Sequence, residues 1–255
     1  RRGRRHAAAR AVTPRPSHGA DDGTPASAPV DRAGGSAAGG GAHGSASVDR
    51  APGSATLDGA PGAAVVGADA SPTAADPSWF ARPVLEVARD LLGSRLVSHA
   101  PDGTVVLRLT EVEAYAGEVD PGSHAYRGRT ARNAVMFGPG GYLYVYRHLG
   151  LHHCVNVVTG TEGRASAVLL RAGEVVQGQD VARRRRAAAG VVRRDVDLAR
   201  GPARLEVALG LDLTHRGASL TAPGAPVVVL PGPPVPRWET GPRVGVSGAG
   251  GDGSL

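Results

Sequence analysis

The 255-residue sequence contains no lysine: all 29 of its Lys-plus-Arg side chains are arginine. Lysine is the usual amine for Schiff-base chemistry, so covalent amine catalysis would fall to the N-terminal amine alone. A single cysteine, Cys154, excludes internal disulfides and an iron–sulfur cluster held entirely by this chain. It points to a reducing, cytosolic setting. No stretch approaches the about 20 apolar residues of a membrane-spanning helix. The basic start is not followed by the apolar run that a signal peptide needs. Aromatic residues make up only 4% of the chain, and none lies in residues 1–75. That segment also lacks glutamate and has one leucine, Leu57. A stretch of Ala, Gly, Ser, Pro, Asp and Arg cannot bury enough apolar surface to offset its ordering entropy. Residues 1–75 therefore read as a disordered tail.

Residues 76–255 have the composition of one ordinary domain. They hold 21 arginines against 17 acidic residues, and the whole chain has a formal net charge of +6. The excess suits a polyanionic partner without requiring one. Helical spacing of Val84, Val87, Leu91 and Leu92 predicts a helix over Pro77–Leu92. Arg95–Ser98 and Val105–Ala114 read as a hairpin turned through Pro101-Asp-Gly103. Asp120–Gly141 reads as loop with a short helix near Arg132–Met136. Tyr142–Arg147 and His153–Val158 predict a second strand pair, and Ala165–Gly173 a further strand. Helices are expected over Gly173–Arg186 and Pro202–Leu209, and late strands at Val227–Leu230 and Arg243–Val246. The pattern predicts an α+β fold: a single domain with a mainly antiparallel, curved sheet flanked by helices.

The residues richest in chemistry cluster in the middle of the chain. Glu111-Val-Glu-Ala-Tyr115 ends a strand-like run, and residues two apart on a strand share a face. Glu111, Glu113 and Tyr115 would then point to one side. Ser123-His124, Leu143-Tyr-Val-Tyr146 and Cys154-Val-Asn156 follow. Carboxylate, histidine, aromatic rings and an amide are what holding and reacting with a flat heterocycle requires. His148, His152, His153 and Cys154 invite a metal reading, but the spacing of His148 and His152 suits zinc only on a helix, and here it spans a turn. Arg183–Arg186 reads as a solvated helix face, with a DNA-facing patch as the alternative.

Together with Arg132-Asn133, Val168-Leu-Leu-Arg171 and Arg243-Val-Gly-Val246, these segments resemble the alkyladenine (3-methyladenine) DNA glycosylase family, in the family's order, over about Trp79 to Leu255. The resemblance implies a monofunctional glycosylase that flips alkylated purines out of double-stranded DNA and excises them by hydrolysis in base excision repair. It implies Glu113 as the water-activating base, with Arg171 and the Val244 carbonyl at the water. It implies Tyr115, His124 and Tyr146 as the stacking pocket, and Asn156 as the amide that excludes guanine. At the hairpin turn where the family carries a tyrosine wedge, this chain has Leu149. Glu111 stays open as the base on the residues alone.

The expected partner is duplex DNA carrying alkylated purines, with no cofactor, no metal and no membrane. The expected state is a monomer, cytoplasmic and nucleoid-associated. Ser247–Leu255 reads as loop. The resemblance implies a further core strand beyond it, so the domain over 76–255 is expected to lack its last element. A catalytically inactive DNA-binding protein of the same fold, and a metal-dependent hydrolase built on the histidines, are the competing readings.

Overall fold

The computed structural model describes residues 8–11, as backbone, and residues 73–251. The expectation of a disordered tail therefore falls mostly outside the described residues. Within it, Ala8–Ala11 forms a short strand, β1. The end of the chain beyond residue 251 also lies outside them.

An antiparallel sheet forms the body of the fold. Its hub is β3 (Gly103–Tyr115), paired with β2 (Arg95–Ala100), β6 (Ala167–Gln177) and β1. From β6 the order continues through β5 (His152–Val158) to β4 (Leu143–His148). On the other side β1 pairs with β8 (Trp238–Gly241), and β2 pairs with β7 (Val227–Leu230). Irregularities in the β3–β6 register fall between Val106 and Leu107 and on either side of Glu111. Bulges of this kind bend and twist a strand and re-aim its side chains. Here they lie beside the two carboxylates.

The predicted helix over Pro77–Leu92 is two helices, α1 (Pro77–Phe80) and α2 (Val84–Leu91). A proline disfavours helical backbone at the residue before it, so Arg82 cannot carry α1 into Pro83. The Asp76 side chain caps α1 by accepting from the Trp79 amide at 3.1 Å. The helix expected from Gly173 starts later. Strand β6 runs on to Gln177, and α3 (Gln179–Ala188) follows Gly178, whose φ is +78°. Gly173 stays in the sheet, paired with Leu109, and only glycine fits there, since a Cβ would come within 2.2 Å of Leu107 Cδ2. Helix α4 (Pro202–Leu209) forms where expected. Arg243–Val246 is not a strand: Gly245 sits at φ +77° in a turn.

The main core lies under the sheet, where Phe80, Leu91, Leu107, Leu170 and Leu205 are fully buried. A smaller cluster of Met136, Phe137, Tyr144 and Val158 sits beneath the loop 120–141. The arginine run on α3 is not a uniformly solvated face. Arg185 reaches across to Asp102 in the β2–β3 turn and to the carbonyls of Gly103 and Ala208, and Arg186 is buried. Among the described residues no helix is long and apolar enough to cross a membrane.

Candidate active site

Strand β3 delivers Glu113 into the interior at its C-terminal end. The residue is 2% exposed, and a buried carboxylate is costly unless its oxygens are engaged. They are. Oε1 accepts from the Val244 amide at 2.9 Å and lies 3.2 Å from Arg171 Nη1. Oε2 accepts from the Tyr115 hydroxyl at 2.8 Å. Arg171, on the neighbouring β6, also donates through Nε to Glu111 at 3.0 Å. Glu111, Glu113 and Tyr115 thus form one hydrogen-bonded group with a single guanidinium between the carboxylates. Burial first, and the Glu113 charge second, push the Tyr115 phenol well above its ordinary range, so Tyr115 stays protonated as the donor.

In front of Tyr115 lies a cavity of about 100 Å³, partly open to solvent. Tyr115, His124, Tyr146 and Asn156 all line it. Glu113 stands one hydrogen bond behind this wall. The His124 ring meets Tyr146 edge-on, with centroids 4.4 Å apart, and its Nδ1 lies 2.9 Å from the Tyr144 hydroxyl. Asn156 is buried, and its Nδ2 donates to the Tyr144 carbonyl at 3.0 Å. A carbonyl can only accept, so this bond fixes which way the amide faces. The Tyr146 phenol is raised by burial and by neighbouring Cys154.

Several lining residues escaped the sequence reading. Tyr144 is a wall residue and the partner of both His124 and Asn156. The alternation Tyr142-Leu-Tyr144-Val-Tyr146 carries that signal, since rings two apart on a strand face one way. Met136, His148 and Val246 also line the cavity, and nothing in their spacing marks them. Asp120 lies in the stretch that reads as loop, yet it is fully buried and paired with Arg243. The histidines diverge. His148 and His152 face each other across the β4–β5 hairpin with centroids 5.2 Å apart, whereas His153 pairs with Glu206 on α4 at 2.8 Å. Leu149 stands at the hairpin tip, 79% exposed. It is the one non-glycine among the described residues with positive φ, at +48°.

The model of the methylpurine-DNA glycosylase family matches residues 78–252, which span the sheet apart from β1, the cavity and the loop carrying Val244. The chain belongs to that family. As a member of the methylpurine-DNA glycosylase family it is a DNA N-glycosylase, with DNA as its substrate. A provisionally named 3-methyladenine DNA glycosylase of Streptomyces avermitilis is 56% identical over 190 residues, covering 73% of this chain and 87% of the relative. One of Leifsonia xyli is 56% identical over 169 residues, 66% and 78% of the two chains. One of Methanocella arvoryzae is 44% identical over 174 residues, 68% and 85%.

His124 gives this glycosylase a stability signature. Burial, then the charges of Arg132 and His148, push its imidazole down to about 4 from the ordinary 6.5. As pH falls from about 6.5 towards 4, the unfolded chain takes up this proton before the folded one does. Stability is therefore lost over that window and is fully present above it. A His124→Gln variant should show a shallower fall of melting temperature between about pH 6.5 and 4. Glu206, raised by burial, titrates in both proteins and cancels in the comparison. Parallel melting curves across that window would assign the slope to other groups.

Proposed function

We propose that the chain excises alkylated purines of the 3-methyladenine type from duplex DNA by hydrolysis of the N-glycosidic bond. The observation that carries this reading is Glu113. It is a buried carboxylate held by Tyr115, Val244 and Arg171, one hydrogen bond behind the wall of a cavity lined by aromatic rings.

The chemistry follows from the substrate. An alkylated purine such as 3-methyladenine is cationic. When its bond to the sugar breaks, the electron pair returns to the ring and neutralises it, so the leaving base needs no proton. Positive charge develops on the sugar carbon, as in other glycoside hydrolyses. An ionised carboxylate stabilises that charge and takes the proton of the attacking water. A carboxylate offers about four acceptor directions. In Glu113 the hydrogen bonds from Val244 and Tyr115 and the Arg171 contact leave a direction on Oε2 for water. In this reading Arg171 orients the water and the Val244 carbonyl completes its site.

The target must leave the base stack to reach the cavity. Leu149, exposed at the hairpin tip, fills the gap it leaves, as apolar side chains do between base steps. Tyr115, His124 and Tyr146 stack on the extruded base. The rings favour a cation by roughly 0.5–2 kcal/mol per contact over a neutral purine. Asn156 excludes guanine by bulk, because its amide is tied to the Tyr144 carbonyl and cannot turn away.

Release of free 3-methyladenine from methylated duplex DNA, measured by chromatography with chelator present, tests the reading. Release is expected and should not respond to the chelator. No release with DNA binding intact would leave a binding protein of this fold. Release lost on chelation would move the chemistry to a metal.

A further inference from the structure

The geometry points to the Asp120–Arg243 pair as a positioning device for the reacting carboxylate. The pair fixes the segment 242–251 so that the Val244 amide meets Glu113, and it supports the Tyr115 ring from behind. The inference rests on the reading of Glu113 as the general base.

Both side chains are fully buried. The Asp120 carboxylate accepts four hydrogen bonds: from the Ala116 and Gly122 amides, each at 2.9 Å, and from Arg243 Nη1 and Nη2 at 2.7 and 2.6 Å. Arg243 also donates to the Gly250 carbonyl at 2.7 Å and the Ala114 carbonyl at 2.8 Å. One guanidinium therefore joins the end of β3, the turn after it and the distal loop. Its Nε alone lacks a partner.

A buried ion pair is a poor choice where stability alone is needed, since a well-packed apolar pair often does as well or better. What a bidentate pair adds is direction. Here the direction ends at Glu113. Arg243 precedes Val244, whose N–H reaches Oε1. Its guanidinium also lies 4.4 Å from the centroid of Tyr115, whose hydroxyl reaches Oε2. Ala114, gripped through its carbonyl, separates Glu113 from Tyr115 in the strand. Both hydrogen bonds that orient Glu113 thus come from groups that Arg243 holds.

The clamp has no slack. A Cβ on Gly122 would come within 2.5 Å of Arg243 Nη1 and 2.7 Å of the Gly250 carbonyl, and one on Gly250 within 2.6 Å of Gly122. Gly122→Ala therefore pushes the clamp apart while leaving every charged group in place.

The test compares wild type, Arg243→Lys, Asp120→Asn and Gly122→Ala in single-turnover release of 3-methyladenine across pH, alongside lesion-duplex affinity and circular dichroism. A misplacement of about 1 Å in a catalytic group can cost about 100-fold in rate. The rate is expected to fall by about that factor in Arg243→Lys and Asp120→Asn, with affinity held within about threefold. Gly122→Ala should fall less. The acidic limb of the rate profile should move to higher pH in all three, because a carboxylate that loses donors holds its proton more tightly. A pair that only stabilised the fold would not move that limb. If Arg243→Lys does not fold, Gly122→Ala carries the test. Active wild type with folded variants of unchanged rate and limb overturns the inference alone, as does a rate loss matched by an equal loss of affinity. Wild type that releases no base overturns the glycosylase reading and this inference with it.

Discussion

Glu113→Gln should lower the single-turnover rate of base release by about 10³-fold or more, while affinity for a lesion-bearing duplex stays within about threefold. Proton removal by a placed base is worth about 10²–10⁴-fold, and in the proposed reading the same carboxylate also stabilises the charge that develops on the sugar, so both terms are lost together. Glutamine has the same shape. Its carbonyl can still accept from the Val244 amide, and the Tyr115 hydroxyl can turn to accept from the new amide. The fold and the cavity wall should therefore survive, and the circular dichroism of the variant should match wild type. Arg171→Ala should lose rate too. The double variant should lose far less than the product of the two, because groups that act as one unit are not additive. The alternative base is Glu111, which shares Arg171 with Glu113. A Glu113→Gln protein that keeps release within about tenfold of wild type, beside an inactive Glu111→Gln, would transfer the role to Glu111.

Why the inward placement of Glu113 could be read from the sequence, and that of Asp120 could not, comes down to periodicity. Glu111, Glu113 and Tyr115 lie on a strand, where residues two apart must share a face. Polar side chains on the inward face of such a strand are conspicuous. The same rule applied to Tyr142, Tyr144 and Tyr146 would have reached Tyr144, the partner of both His124 and Asn156. Asp120 and Arg243 sit in irregular backbone 123 residues apart. No local pattern records a contact of that separation. Val-rich Arg243–Val246 resembles a strand by composition, but Gly245 turns the backbone and the arginine is spent inside. The late start of α3 has a similar origin. The residues from Gly173 to Gln177 follow the pairing that β3 offers, and Gly173 fits there because the packing of Leu107 leaves no space for a side chain. The single-domain α+β architecture was legible because its strands are runs rich in Val and Leu and its turns carry Gly, Pro and Asp. The exact joints depend on tertiary contacts.

Leu149 is expected to trade folding stability for base extrusion. At φ +48° a leucine occupies left-handed backbone that costs about 1–2 kcal/mol, and the residue is 79% exposed. Neither feature helps the fold. With Gly150 at φ +72° the pair forms a tight hairpin turn that favours Asn-Gly. Leu149→Asn should therefore stabilise the protein by roughly 1 kcal/mol and raise its melting temperature by about 2–4 °C. In the proposed reading the same change removes the apolar wedge. Release from duplex DNA should fall by about tenfold or more, since an empty gap in the stack leaves a few kcal/mol of unstacking without compensation. Release from a single-stranded lesion should be unchanged, because nothing needs to be extruded there. Leu149→Tyr tests the opposite direction. A flat ring stacks on neighbouring bases with about 1–3 kcal/mol per contact, more than a leucine can offer, so the extruded state should be more populated than in wild type. Stopped-flow fluorescence with a reporter base beside the lesion would read the flipping equilibrium in all three proteins. An equilibrium that does not respond to either substitution would mean that the strained leucine is not the wedge. Exposed Leu151, two residues along the same hairpin, would then be the next side chain to replace.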